Sequence, residues 1–457
     1  MIHDIAILGG GPAGMAAATE AARAGARTVL LEESHAPGGQ VYRKPVFDGP
    51  VDADRRAGDA LRAALAESGA QVITGVRVWG LGGGPLVAEG RAPFVLTGLG
   101  AEVSAFALIL ATGTHERIIP FPGWTLPGVL GLAAATILLK AQGVLPGRRV
   151  VVAGQGPLLY AVAAKIVAGG GQVAAIADAA TTYEWVWALP RLFARPDVLG
   201  RGLAWRARIL GAGVPVFSGA RVAEALGEGR IAAVRINGRI IEADALCIGH
   251  GLVPATEASR AYRAVHVHDP ALGGWVPVLN ADRRTSVPGL YAAGDGAGLR
   301  GAAAAPASGQ LAARAALRDL GMTPLGPDPT AAFARAARAG AAMAGMMALR
   351  PALVAAIPAA TEVCRCEGVT RAAIEEAADA GAGTMNQLKH FTRCGMGPCQ
   401  GRMCGEAASA LLAARRGVPI ASVGFATGRT PLRPVPMDAI LGDFAYADIP
   451  VPAPAPL

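Results

Sequence analysis

The sequence predicts an α/β fold. Two strand–turn–helix–strand units of one design form its body, the second inserted into the domain that the first begins, and a small helical domain follows at the C-terminal end. Three observations predict it. An apolar run enters a glycine-rich turn at the start of the chain, and the same arrangement recurs near residue 150. Five of the six cysteines fall within the 41 residues from Cys364 to Cys404.

A chain of 457 residues has length for two to four domains with sizeable cores. Charged residues are only 17% and apolar residues 52%, which excludes a disordered chain. No uninterrupted run of about 18 apolar residues occurs, so no membrane-spanning helix is predicted. Met1-Ile2-His3-Asp4 leads straight into a strand without a basic region or cleavage site, which predicts a cytoplasmic protein. Disulfides are rare in that compartment, so the cysteines favour metal. The net charge of +8 comes from scattered Lys and Arg without basic runs interleaved with aromatics. No nucleic-acid partner is expected; the charge is either a solvated surface or a docking face for an acidic redox partner.

Ile2–Leu8 is an apolar, Ile-rich run suited to a buried parallel strand. It enters Gly9-Gly10-Gly11-Pro12-Ala13-Gly14, a G-x-G-x-x-G turn, and a helix is predicted over Ala13–Ala24. A second strand, Arg27–Leu31, ends at Glu32. Gly9 permits the tight turn, Gly11 lets backbone approach a pyrophosphate, and Gly14 lets the helix pack close to the strand. The helix N-terminus presents free N–H groups to the anion, and Glu32 accepts from a ribose diol. The unit is thus Rossmann-like and dinucleotide-binding.

Three further segments say which dinucleotide. Gly38-Gly39-Gln40 gives a second backbone approach, with Gly39 and Gln40 as contacts. Ala107–Leu110 leads into the small-residue turn Ala111-Thr112-Gly113. Thr285–Ala293 contains a strand that ends at Gly294-Asp295. The set resembles the two-dinucleotide-domain flavoproteins of the glutathione-reductase type over about 320 residues. That resemblance implies FAD in the first unit, with Asp295 on the flavin's ribityl chain. Val78, after the strand Gln71–Thr74, is a further candidate, for the adenine.

Arg149–Ala153 leads into Gly154-Gln155-Gly156-Pro157-Leu158-Leu159, a helix to about Ala168, and a strand Gln172–Ala177 ending at Asp178. Gly154 to Asp178 spans 24 residues and Gly9 to Glu32 spans 23, an internal repeat. In the glutathione-reductase type this inserted unit binds NAD(P)H. Here Gly154, Gly156 and Asp178 mark the second nucleotide site, but Leu159 stands where a third Gly or Ala belongs and narrows the phosphate position. No Arg follows Asp178 to hold a 2′-phosphate, so NADP is disfavoured. Either NADH enters here or the unit is a retained structural domain, empty or with a nucleotide that does no hydride chemistry. No cysteine precedes Cys247, so the C-x4-C or C-x2-C dithiol chemistry of reductases of this type is excluded, and Cys247 itself reads as a core residue. Thr181–Gly213 carries Trp185, Trp187 and Trp205 with five arginines, either a local core or a subunit-contact surface.

The cysteines run C-x-C, 27 residues, then C-x4-C-x4-C. Zinc prefers paired C-x2-C loops, whereas iron–sulfur clusters take four thiolates at varied spacings. Arg365, Arg371, Lys389, Arg393 and Arg402 favour thiolate over thiol. Cys364-Arg365-Cys366-Glu367 with Gly395-Met396-Gly397-Pro398-Cys399-Gln400-Gly401 resembles the small helical 2Fe–2S domain of the bacterioferritin-associated ferredoxin type. That resemblance implies Cys364, Cys366, Cys399 and Cys404 as ligands, with Cys394 as the alternative. The prototype closes with C-x2-C, and this chain with C-x4-C.

With Pro120–Val129, Gly249–Pro254 and Arg429–Pro436, these pieces resemble the α subunit of heteromeric dye-linked dehydrogenases of opines, proline and hydroxyproline. The hydrogen cyanide synthase flavoprotein subunit is a relative. The resemblance implies an α/β fold of two Rossmann-like dinucleotide-binding domains plus a C-terminal iron–sulfur domain. It implies an electron-transfer subunit with FAD and a 2Fe–2S cluster. An amino-acid-oxidase-like flavoprotein β subunit would oxidise the substrate, and a small ferredoxin-like γ subunit or a flavin shared between subunits fits the same scheme. The resemblance implies an acceptor other than NAD or oxygen; a quinone would bring the protein to the membrane only peripherally. The competing readings are a self-contained NADH-dependent flavin reductase with a ferredoxin-like domain, or a hydrogen cyanide synthase subunit. No catalytic residue stands out: there is no Ser/His/Asp set and no metal-hydrolase motif, and of the histidines only His115 and His250 follow turns near the flavin. The expected division is 1–122 with 262–325 for FAD, 123–261 inserted, 326–359 a helical connector, 360–416 for the cluster, and 417–457 a proline-rich tail.

Overall fold

A computed structural model describes residues 2–47, 52–84, 92–193, 195–441 and 447, so the end of the predicted tail lies outside the described residues, as does the side chain of Arg191. A seven-stranded sheet organises the first part of the chain. Its parallel strands Gln71–Thr74, Thr28–Glu32, Ile2–Leu8, Ala101–Leu110 and Leu290–Ala292 lie side by side. The long strand Ala101–Leu110 changes partner along its length. Its second half pairs with Leu290–Ala292, and its first half pairs antiparallel with the hairpin Val78–Gly83/Phe94–Gly98.

Helix Pro12–Arg23 crosses this sheet and packs on helix Ala305–Asp319. The alanines and glycines let the two backbones touch. A Cβ on Gly309 would stand 2.0 Å from the Ala13 carbonyl oxygen. Ala17, Ala18, Ala21, Ala312, Ala313 and Ala316 are fully buried between them. The alanine-rich composition is thus a packing device: short side chains bring helix to helix and helix to sheet at close range.

The second sheet is wholly parallel, in the order Val216–Ser218, Gln172–Asp178, Arg149–Gly154, Ala245–Gly249, Val129–Gly131. Both faces are covered, and Val150, Val151, Val152 and Ala153 are fully buried, as a central parallel strand requires. The aromatic insertion forms two helices, Thr182–Leu192 and Pro196–Gly211. Trp185 turns inward against Tyr160, while Trp187 is 65% exposed.

The cysteine segment follows the connector helix Thr330–Met346. Helices Arg371–Asp379, Met385–Thr392 and Gly405–Arg416 enclose a core of Ile374, Leu388 and Leu412. Arg117, 3% exposed, fastens this segment to the body. Its guanidinium donates to the Met347 and Gly273 carbonyls, each at 2.8 Å, and reaches Glu406 Oε2 at 3.2 Å. Trp124 Nε1 adds a bond to the Glu362 carbonyl at 2.8 Å. Among the described residues no helix is long and apolar enough to cross a membrane.

Candidate functional site

The strand ends of the first sheet converge on the glycine turn. Gly9 has φ 104°, and a Cβ there would lie 2.4 Å from the Ala111 carbonyl oxygen. A Cβ on Gly14 would lie 1.8 Å from the Gly9 carbonyl oxygen. Gly39 closes on Gly11 from the far side, where a Cβ would meet Gly11 Cα at 3.0 Å, and Gly38 N–H donates to the Gly10 carbonyl. Gly294, whose Cβ would meet Ala13 Cβ at 2.9 Å, completes the ring. At Gly11 itself, an added Cβ meets only Gly39 Cα, at 3.9 Å.

Helix Pro12–Arg23 starts there with no side-chain cap, Pro at its first position and no acid in its first turn. Its free N–H groups and dipole suit an anion. Glu32 is buried, and its two carboxylate oxygens accept from the N–H groups of Gly10 and Ser34 at 2.7 Å. That fixes the carboxylate while leaving acceptor capacity for a diol. Asp295 Oδ1 accepts from the N–H groups of Arg300 and Gly301, each at 2.8 Å. Burial pushes its pKa upward, against those two backbone donors. Thr112 donates through Oγ1 to the Ala255 carbonyl at 2.6 Å, and Gly113 lies beside Gly296. Of the residues singled out from the sequence, Gly9, Gly11, Gly14, Glu32, Gly39, Thr112, Gly294 and Asp295 surround one cradle. Gln40 is exposed, and Val78 is buried in the apolar core with Val76, Leu96 and Leu110. A pyrophosphate and a ribose fit the donors and the acid that are present.

The second glycine turn is built differently. A Cβ on Gly154 would stand 1.7 Å from the Gly249 carbonyl oxygen, so strand packs on strand as in a nucleotide-binding unit. Over the turn, however, lies the protein's own connector. A Cβ on Gly156 would meet Met347 Cγ at 2.5 Å, and one on Gly251 the Met347 carbonyl oxygen, also at 2.5 Å. Gln155 donates to the Ala348 carbonyl at 2.7 Å and accepts from Arg350 Nε at 2.9 Å. Arg350 also pairs with Glu184 at 2.9 Å.

Asp178, 1% exposed, is spent on internal donors: Tyr160 Oη at 2.8 Å, Trp185 Nε1 at 2.9 Å and Ala180 N at 2.9 Å. Leu159 is fully buried in the core behind the turn. Beneath this unit Glu116 sits under Gly131 and Gly249, where added Cβ atoms would strike its carboxylate at 2.1 and 2.3 Å. Burial pushes its pKa up to about 8, against hydrogen bonds from backbone N–H groups at Ala133 and Leu132. Cys247 is fully buried and its thiol is pushed up to about 12 by burial. His250 is buried, held neutral by burial with its pKa down to about 3, and accepts at Nδ1 from Ile119 N–H.

The five clustered cysteines meet in space. The sulfurs of Cys364, Cys394 and Cys404 lie within 4.8 Å of one another, all three residues being buried. Cys366 and Cys399 face each other beside them. Cys394, for which the resemblance left only an alternative role, is therefore inside the tightest group. Hydrogen bonds from Cys394 and Cys404 hold the Cys364 thiol well below its ordinary value, and the contact with Cys364 pushes Cys394 and Cys404 up. Backbone N–H groups of Gly395 and Glu367 also point at the Cys364 sulfur. Gly397 is required here, because a Cβ would strike Cys366 Cβ at 2.2 Å. Left-handed turns at Arg393 and Gln400 fold the loop back on itself. Clustered sulfurs with backbone donors suit a metal centre.

Fold and cradle define a class, a flavoprotein oxidoreductase with a Rossmann-type core. The family model described as pyridine nucleotide-disulphide oxidoreductase matches residues 3–316, the chain belongs to that family, and the match supports FAD. A second model, the sarcosine oxidase A3 domain, matches residues 361–443, which hold all five clustered cysteines. More particularly, the chain is 37% identical to an opine oxidase subunit from Agrobacterium tumefaciens (strain Ach5), covering 95% of this chain and 90% of that protein. It is 33% identical to hydrogen cyanide synthase subunit HcnB of Pseudomonas aeruginosa, over 95% and 97%. It belongs with these α-type subunits of multi-subunit oxidoreductases. Among solved structures, L-proline dehydrogenase from P. horikoshii shares the fold, with TM-score 0.73, 20% identity, and 96% of this chain and 79% of that chain covered. T. acidophilum thioredoxin reductase shares it over 70% of this chain and 98% of its own, with TM-score 0.52 and 23% identity.

Proposed function

We propose that this chain is the electron-transfer subunit of a heteromeric dehydrogenase acting on the CH–NH bond of an amino or imino acid of the opine, proline or hydroxyproline type. In this scheme a β subunit of the amino-acid-oxidase kind oxidises the substrate. Electrons then pass through this chain to an acceptor other than NAD or oxygen. FAD would supply two-electron chemistry and a 2Fe–2S cluster one-electron chemistry. Gly9, Gly11, Gly14, Glu32, Gly39, Gly294 and Asp295 would hold the first; four of Cys364, Cys366, Cys394, Cys399 and Cys404 would hold the second.

The observation that carries the proposal is the grouping of the cysteine sulfurs in a chain that also holds a dinucleotide cradle and whose second nucleotide turn is covered. Met347 lies over Gly156, and Asp178 has its oxygens taken by Tyr160, Trp185 and Ala180. That speaks against NADH as the electron donor. The names of the relatives, opine oxidase and proline dehydrogenase, support the substrate class.

The test is dye reduction with opines, proline and hydroxyproline, assayed on the isolated chain and on the chain co-expressed with its β subunit. The expected result is dye reduction by the complex and none by the isolated chain. Equal rates for the two, or rapid bleaching of bound flavin by NADH, would overturn the proposal.

A further inference from the structure

A cavity of about 280 Å³ separates the dinucleotide body from the cysteine segment. Body residues His115, Thr256, Glu257, Arg260 and Trp275 line one side. Cys394, Cys404, Arg402, Glu406 and Lys389 line the other, and the segment from Gly424 to Leu432 closes it. Cys364, Cys366 and Cys399 do not reach it, so it is not the space among the five sulfurs.

Its charge is unbalanced. Four lining cations, Arg260, Lys389, Arg402 and Arg429, face two carboxylates, Glu257 and Glu406. Glu406 already pairs with Arg117, which lies outside the lining. Glu257 Oε1 pairs with Arg402 Nε at 2.6 Å. Neither Arg260 nor Lys389 has an ion pair among the described residues. Arg260 stacks on the Phe425 ring, 4.9 Å from its centre, and feels the Glu257 charge.

Donors are also left over. Arg260 Nε and Trp275 Nε1 are buried with no hydrogen-bond partner among the described residues, and so is His115 Nδ1. Burial holds His115 neutral, its pKa down to about 4. Buried donors without acceptors are costly, and two of them on residues that line one cavity with surplus positive charge call for an oxyanion.

We propose that this cavity binds a small organic or inorganic oxyanion, a carboxylate or a phosphate, seated on Arg260 and Trp275 Nε1 with Lys389 and Arg402 supplying charge. The site lies next to Cys394 and Cys404 but needs neither flavin nor metal turnover to fill. Its failure is therefore separable from failure of the electron-transfer proposal.

The test is calorimetric titration of the full-length protein with sodium phosphate and, separately, sodium acetate. Saturable binding of at least one is expected. Arg260→Gln should weaken it about tenfold or more, the loss of a charge-assisted bond. Trp275→Phe, which keeps the ring and removes the donor, should weaken it about fivefold. Exposed Arg230→Gln should leave it unchanged. Tighter phosphate identifies a dianion site and tighter acetate a carboxylate site; either supports the proposal. Absence of saturable binding, or the same affinity in wild type, Arg260→Gln and Trp275→Phe, overturns it. In the latter case the bound phosphate belongs to the helix N-terminus of the first cradle.

Discussion

Arg117→Met tests what holds the cysteine segment against the dinucleotide body. Met preserves much of the apolar stem and removes the guanidinium. Three contacts go with it: the bonds to the Met347 and Gly273 carbonyls, each 2.8 Å, and the ion pair with Glu406 at 3.2 Å. The Glu406 side chain is only 14% exposed, so its carboxylate loses a partner in a poorly solvated place. Hydrogen bonds from a charged donor contribute about 1.5–3 kcal/mol each. Breaking one side of a buried ion pair costs about 3–5 kcal/mol. One guanidinium makes all three contacts, so these figures overlap, and the expected loss is about 4 kcal/mol. Glu406→Gln in the Arg117→Met background should recover at least ~1 kcal/mol by removing the stranded charge. The assay is urea denaturation with proteolysis of the connector, read on single and double variants. A loss below about 1 kcal/mol, or strictly additive effects, would refute the reasoning.

Gly14→Ala places a Cβ 1.8 Å from the Gly9 carbonyl oxygen, and purified variant should lose its flavin absorbance while its circular dichroism remains α/β. Glu116→Gln bears on pH. The folded pKa of about 8 lies above the ordinary value of 4.5, so the folded state holds a proton that the unfolded state gives up. Stability therefore falls as pH rises from 4.5 through 8, by roughly 3 kcal/mol at pH 7. Gln should remove that slope, and thermal unfolding at pH 5, 7 and 9 reads it directly. Single Cys→Ser changes separate the ligand sets. Cys364→Ser and Cys404→Ser should each abolish bound iron. If the tight trio reflects ligation, Cys394→Ser does so too, whereas full iron in that variant returns the ligand role to Cys366 and Cys399.

Where function depends on contiguous residues, the sequence is readable. Strand, glycine turn, helix and acid follow each other from Ile2 to Glu32, and the fold places them as that order implies. The predicted helix Ala13–Ala24 appears one residue earlier, at Pro12–Arg23, because Pro starts a helix readily. The covering of the second turn is not readable. Arg350 and Gln155 are 195 residues apart, and nothing near Gly154-Gln155-Gly156 announces Met347. Leu159, singled out from the sequence, is fully buried in the core behind the turn. The cysteines are legible as a group but not as a geometry. Which sulfurs meet depends on the left-handed turns at Arg393 and Gln400, residues with no strong preference for that conformation. The oxyanion cavity draws on the body, the cysteine segment and the residues after it, so no local motif encodes it.

Conduction of electrons delivered by a partner is tested most directly by low-temperature electron paramagnetic resonance. The sample is the anaerobic, co-purified complex, frozen within one turnover of adding proline, hydroxyproline or an opine. The expected result is the signal of a reduced 2Fe–2S cluster, absent in Cys364→Ser. Substrate consumption at full rate with no cluster signal, or the same signal raised by NADH alone, would contradict it.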